Sequence, residues 1–226
     1  MKELEGSVAL VTGAGRNIGR AIALELAAAG AQLILNSKSS GDEIEAVARE
    51  TGGLAVLADV TDEAAVARMV EHGLARFGRL DILVNNAAIR AVERLDDISF
   101  ARWREVTGVI LDGAWICARA CLAHLSRSPS ASIVNIGGMS AHTGAAGRPH
   151  VVAAKAGPVG LTRALAHDLP PKGVTLNCVV PGLIETRGSP ASGHGGRDRL
   201  LGRPGTPGEV AAAVRFLAGP GARYVT

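Results

Sequence analysis

Cysteine is scarce in this chain of 226 residues: Cys117, Cys121 and Cys178 are all it has. So few thiols exclude a disulfide-stapled scaffold. Cys117 and Cys121 stand four apart and share one face of a helix, a spacing that could form half of a metal site. No further His or Cys completes a ligand set, so they read as small buried thiols and no metal is expected. Aromatic residues make up only 3%, too few to build a stacking platform for bases. The net charge of +3 suits an anionic small ligand rather than a nucleic acid. No apolar run reads as long enough to cross a bilayer. Met1 to Ser7 carries two acidic residues and lacks the basic start and apolar stretch of a signal peptide. The expectation is a cytoplasmic protein with neither a membrane nor a nucleic-acid partner.

What is present is core-forming material. A hydrophobic content of 47% over this length supports one domain, residues 1–226, with a sizeable core. Short β-branched runs alternate with longer Ala-rich helical stretches, the mark of βαβ units and a parallel sheet. Strands are predicted at Val8–Val11, Gln32–Leu35, Leu54–Ala58, Leu80–Val84, Ser132–Ile136 and Thr175–Val180. Between them helices are predicted at Ile18–Ala29, closed by Gly30, at 42–49, from an Asp62 N-cap to Phe77, at Trp103–Leu125 and at Val151–Asp168, with a last one at Thr206–Leu217. Residues 137–150, with four glycines and a proline, read as a loop. The Gly/Ser/Arg-rich segment 188–204 reads as a mobile substrate loop. One more strand is expected where the sequence ends at Thr226. The fold class is therefore α/β, a Rossmann-type doubly wound parallel sheet.

Chemistry enters between the first strand and first helix, at Thr12-Gly13-Ala14-Gly15-Arg16-Asn17-Ile18-Gly19. Glycines here let the backbone turn sharply and approach a pyrophosphate, whose charge the following helix N-terminus stabilises. The position after a strand and before a helix raises this above a chance glycine run. NAD-binding proteins of this class carry an acid at the end of the second strand. Here that end reads Asn36-Ser37-Lys38-Ser39, with no carboxylate. Arg16 and Lys38 supply positive charge suited to a 2′-phosphate, so NADPH is favoured over NADH.

With these residues in place, the whole chain resembles the short-chain dehydrogenase/reductase family. Thr12-Gly13 through Gly19 resembles its TGxxxGxG loop, with Asn17 at the middle glycine. Asp59-Val60 resembles the pair that holds the adenine, Asn85-Asn86-Ala87-Ala88 the NNAG strand end, and Pro181-Gly182-Leu183-Ile184-Glu185-Thr186 the PGxIxT segment that binds the nicotinamide amide. The resemblance implies NADPH bound by Gly13, Gly15, Arg16, Asn17, Ile18, Gly19, Ser37, Lys38, Ser39, Asp59, Val60, Asn85, Ala87, Lys155, Pro181, Gly182, Ile184 and Thr186. It also implies a homodimer or homotetramer built on the helices Trp103–Leu125 and Val151–Asp168.

The family's catalytic tetrad is degenerate in this chain. Lys155 occupies the lysine place of YxxxK, which leaves Val151 in the tyrosine place. Gly138 stands in the serine place and Ile110 in the asparagine place. Hydride addition to a ketone creates a strongly basic alkoxide that needs a positioned acid, and neither valine nor glycine can supply a proton. Lys155 could be that acid or could serve only the ribose. His150 has a suitable pKa range but would share the face of Lys155 only if the helix began after it. Ser140 could reach the substrate if the loop bends. Arg90 and Arg148 could clamp a carboxylate or phosphate, while His142 and Asp112 near the crevice also read as surface or capping residues.

Three functions fit these residues: an NADPH-dependent oxidoreductase of a carbonyl, enone or imine with unusual proton delivery; an inactive NADPH-binding homologue acting as sensor or partner; and a lyase or isomerase using the same pocket.

Overall fold

A computed structural model describes residues 2–187 and 201–226. Its strands are β1 (Val8–Val11), β2 (Gln32–Ser37), β3 (Leu54–Leu57), β4 (Ile82–Asn85), β5 (Ser132–Ile136) and β6 (Thr175–Val179). They form one sheet in the order β3-β2-β1-β4-β5-β6, with every adjacent pair parallel. This is the dinucleotide-binding order, in which the chain reverses direction between β1 and β4 and leaves a crevice beyond their C-terminal ends. The expected α/β class therefore holds. The described residues contain these six strands; Val225 and Thr226 lie beside β6, where Leu176 N–H donates to Thr226 Oγ1 and Asn177 Nδ2 to the Val225 carbonyl.

Strands covered on both faces read as unbroken apolar runs, and β1 is wholly buried. Ala9 and Val11 face a layer formed by α1 (Asn17–Ala28), α2 (Gly41–Thr51) and α8 (Pro207–Ala218). Val8 and Leu10 face α3 (Glu63–Phe77) and α5 (Gly113–Leu125). The Asp62 cap is as expected: its carboxylate accepts from the Ala64 and Ala65 amides.

Four sequence expectations change. The long helix begins at Phe100 and is not uniform: α4 (Phe100–Thr107) passes through a π turn, Gly108–Asp112, into α5. By length and composition, Phe100–Leu125 is apolar enough to cross a membrane, its most apolar window of 18 residues having a mean hydropathy of 1.5, contrary to the reading that no such run exists. The structure accounts for that apolarity, because Ile116, Cys117, Ala118, Cys121 and Leu125 of α5 belong to the core against the sheet. Residues 137–150 are not all loop, since Ser140–Thr143 form a short helix, α6. Finally, α7 (Pro149–Asp168) starts two residues earlier than expected. Proline is favoured in a first helical turn, where its missing N–H is not needed, and this places His150 inside the helix.

Candidate active site

The loop after β1 is held by the end of β4. Thr12 Oγ1 accepts from the Asn86 and Ala87 amides, each at 3.0 Å. Asn86 Nδ2 returns bonds to the Thr12 and Gly13 carbonyls, at 2.8 and 3.0 Å. A Cβ on Gly19 would lie 2.1 Å from the Gly13 carbonyl oxygen, so only glycine lets this loop fold back onto the start of α1. The far side is tied to β2, where Ala14 N–H donates to the Asn36 carbonyl and Asn36 Nδ2 reaches the Ala58 carbonyl. Thr12, Asn36 and Asn86 were not among the expected site residues. Asn86 lies within the motif quoted above, but its bracing role becomes visible only when β4 is set beside β1.

Arg16 is exposed at the N-cap position of α1, where the helix leaves its first N–H groups unpaired and partly positive. Asn17 follows with a φ of 52° and bonds to the backbone of Arg187. At the end of β2, Ser37 Oγ caps the Ser40 amide. The exposed Lys38 places Nζ 2.7 Å from Asp59 Oδ2, and Ser39 beside it is exposed. Asp59 Oδ1 accepts from both the amide and the hydroxyl of Thr61. Burial pushes the Asp59 carboxyl up, but Lys38 and Thr61 outweigh it and leave the group below its usual value. Thus Lys38 and Asp59, expected to read separate parts of an adenosine, hold each other in this structure.

The crevice narrows to a small cleft whose lining includes Thr12, Val60, Asn85, Ala87, Ile110 and Lys155. Lys155 Nζ donates to the Ile136 carbonyl at 2.6 Å. Burial lowers its pKa from 10.5 to about 8; Cys178 opposes that shift and Arg90 adds to it. Asn85 Nδ2 is bonded to Asn135 Oδ1 and the Ala114 carbonyl. Its Oδ1 is buried without a hydrogen-bond partner among the described residues, an acceptor of the kind that buried sites normally satisfy.

Val151, Ile110 and Gly138, expected at the tyrosine, asparagine and serine places, have distinct surroundings. Val151 and Ile110 belong to one apolar cluster with Val106 and Ala154, so both replacements build a single surface. Ile110 lies in the π turn, a distortion often found at functional sites. At Gly138 a Cβ would fit without a clash, in van der Waals contact with Lys155 Cγ and Ser140 Oγ, each at 3.9 Å. Ser140 and Lys155 therefore flank the empty serine place. His150 does not join them. Five residues along a helix turn it about 140° from Lys155, and its fully buried ring lies against Glu93, with Nε2 3.7 Å from Oε2.

The segment after β6 closes the other side. Its Pro181 carbonyl accepts from Met139 N–H. Glu185 N–H donates to the Gly205 carbonyl, and Gly205 N–H to that of Leu183, which sets Ile184 beside Gly205; Gly182 is exposed. Thr186 Oγ1 accepts from Arg90 Nη1 at 2.5 Å. Burial and the nearby Arg148 hold the Arg90 guanidinium below its ordinary pKa, so the structure brings these two arginines together. Of the expected substrate loop 188–204, residues 188–200 lie outside the described residues.

Comparison with known proteins agrees with this arrangement. A family model described as enoyl-(acyl carrier protein) reductase matches residues 13–226. The 3-oxoacyl-[acyl-carrier-protein] reductase of Synechocystis is 37% identical, covering all of this chain and 95% of the relative. The Escherichia coli enzyme of that name, FabG, is 36% identical over 98% of this chain and 93% of its own length. Among solved structures, a Burkholderia cenocepacia short-chain dehydrogenase in complex with NADP has a TM-score of 0.90 and 34% identity, covering 99% of this chain and 95% of that one. A metagenomic blue fluorescent protein in complex with NADPH has a TM-score of 0.92 and 34% identity, covering 100% and 95%. Ordered motifs, strand order and whole-length similarity together place this chain in the short-chain dehydrogenase/reductase family of oxidoreductases.

Proposed function

We propose that this protein binds NADPH and reduces a small carbonyl, enone or imine, with Lys155 as the proton source in place of a tyrosine. The residues present suit the cofactor. The glycine cradle leaves no room for a Cβ at Gly19; Arg16 and Lys38 offer charge for phosphates; and the orphaned Asn85 Oδ1 can accept from a ribose hydroxyl. Asp59, Val60, Ala87 and the segment Pro181–Thr186 complete the set. Bound there, the cofactor supplies the hydride.

The observation that carries the reading is Lys155: a buried ammonium at the cleft, with a pKa of about 8. Such a group stays protonated at neutral pH yet gives up its proton more readily than an ordinary lysine. Ser140, beside the Gly138 place, is suited to hold a substrate oxygen by hydrogen bonding. With the tyrosine and serine places empty, the reading is easiest for substrates that need least proton delivery: an enone, whose reduction leaves a stabilised enolate, or an imine already protonated to an iminium, whose reduction leaves a neutral amine, rather than a simple ketone. The test is NADPH oxidation followed by absorbance across ketone, 3-oxoacyl thioester, enone and imine panels. Turnover concentrated in the enone and imine panels supports the reading, and no oxidation in any panel overturns it.

A second reading, an NADPH-binding sensor or partner without turnover, is favoured by the joint packing of Ile110 and Val151 in one apolar cluster. It expects tight NADPH binding in calorimetry with no oxidation. In either case we propose a homodimer or homotetramer using the outer faces of α5 and α7, where Trp115 is 44% exposed; light scattering after size exclusion tests it.

A further inference from the structure

Among the described residues, Asn17 is the one non-glycine with positive φ. It stands where the family's loop carries its middle glycine, the residue that adopts such a conformation without steric penalty. Asparagine tolerates the left-handed region better than most residues, but it does not prefer it to glycine. A conformation of this kind persists where surrounding contacts hold it, and here the contacts are visible. Arg187 N–H donates to Asn17 Oδ1 at 3.0 Å, and Asn17 Nδ2 donates to the Arg187 carbonyl at 3.5 Å. One amide side chain thus offers acceptor and donor to both backbone groups of a single residue, as a neighbouring strand would. Glycine can make neither bond.

The position of Arg187 gives that pairing its meaning. It directly follows Thr186, whose hydroxyl oxygen is held by Arg90 from the loop after β4. Consecutive residues are therefore fastened to two different walls of the crevice. The upstream part is fixed as well, through Met139 at Pro181 and through Gly205 at Leu183 and Glu185. Arg90 has donors only, so its bond occupies a lone pair of Thr186 Oγ1 and leaves the threonine hydroxyl proton to be donated elsewhere.

We propose that Asn17 is a positioning residue for the cofactor: it joins the phosphate loop to the Pro181–Thr186 segment before the cofactor arrives. The proposal rests on the NADPH reading above and deepens it. The two joined segments are those expected to bind the phosphates and the nicotinamide of one dinucleotide. Joining them beforehand reduces the ordering that binding must otherwise accomplish, so the gain falls on ligands that touch both segments.

The test compares the wild-type protein with Asn17→Gly and Asn17→Ala. Asn17→Gly is the informative variant, because it removes the pairing while suiting the backbone conformation. Its thermal midpoint should be unchanged or higher. NADPH affinity, measured by calorimetry, should fall about tenfold, the size of one or two net hydrogen bonds. Affinity for adenosine 2′,5′-bisphosphate, which lacks the nicotinamide end, should not change. Hydrogen exchange in the cofactor-free protein should be faster around Arg187 in both variants. Asn17→Ala serves as the strained control, expected to lose affinity and some stability. If wild type binds NADPH and Asn17→Gly binds it equally well, the inference is overturned and the cofactor reading stands. If both ligands weaken equally, Asn17 acts on the phosphate loop alone and the joining role is wrong. If wild type binds no NADPH, the cofactor reading falls and this inference with it.

Discussion

On the side of the crevice formed by β1, β2 and the loops that follow them, polar side chains brace the backbone and one another: Thr12 Oγ1 accepts from the Asn86 amide, Asn36 Nδ2 donates to the Ala58 carbonyl, and Lys38 pairs with Asp59. On the side formed by α4, the π turn and α7, the corresponding positions are apolar, with Ile110 and Val151 packed together. The contrast separates two tasks that an oxidoreductase of this fold performs side by side. A binding wall works through backbone shape and fixed charges, most of which are kept here, with Asn17 at the middle glycine and Ala88 at the end of the NNAG motif as departures. A reacting wall needs titratable groups at specified atoms, and of the four places the resemblance assigns, Lys155 holds the one titratable group. Family membership and cofactor binding can therefore be argued from one wall, while the reaction must be argued from the other.

The sharpest way to break this comparison is at Lys155, which lines the cleft. Lys155→Met should lower kcat by about 100-fold or more if the lysine is the acid, whereas a role confined to the ribose would raise KM and leave kcat within a few-fold. Steady-state kinetics separates the two, with calorimetry reporting NADPH affinity beside them.

The pH profile is next in size. Because the protonated lysine is the working form, kcat/KM should fall about tenfold per pH unit above about pH 8. Stability should move the opposite way. The folded-state pKa lies below the ordinary lysine value, so the unfolded chain binds more protons between the two, and stability rises with pH from about 8 toward 10.5. Chemical denaturation across that window checks the sign.

On the binding wall, Lys38→Ala should reduce the preference for NADPH over NADH by about tenfold, from loss of a charge-assisted contact. Equal losses for both cofactors would mean that Lys38 acts only through Asp59. The smallest effect is expected at Gly138: Gly138→Ser should leave the thermal midpoint within about 2 °C, since its Cβ meets Lys155 and Ser140 at ordinary contact distance without a clash. Val151→Tyr, which must enter the apolar cluster, should by contrast destabilise by about 1–3 kcal/mol. Thermal denaturation of the two variants measures the difference directly.

Much of the binding wall was legible in the sequence because its requirements are local. Gly13 to Gly19 must follow a strand and precede a helix, and Asp62 must cap the helix it starts; both expectations hold. The losses came where the outcome depends on contacts between distant segments. Nothing in the order of residues tells that Lys38 meets Asp59, or that Asn17 meets Arg187. The Pro149 start of α7 follows a known preference for proline in the first turn, and it sets His150 inside the helix facing Glu93 rather than on the loop that the glycines of 137–150 suggest. The π turn was invisible because an apolar run between Gly108 and Gly113 keeps helical composition whatever its hydrogen-bond pattern.

That turn has a consequence for how the chain is phased. Gly113 N–H bonds to the Gly108 carbonyl, five residues back, so the helix holds one residue more than an α-helix would over the same rise. Each residue advances an α-helix by about 100°. The surplus residue lets α4 set its inner side toward α7, placing Val106 and Ile110 with Val151, while α5 sets Ile116, Cys117, Cys121 and Leu125 against the sheet. A chain one residue shorter between Gly108 and Asp112 could keep one of these alignments but not both. The kink works as a rotary coupling between the cleft and the core, and its integrity is a matter of residue count rather than of any particular side chain.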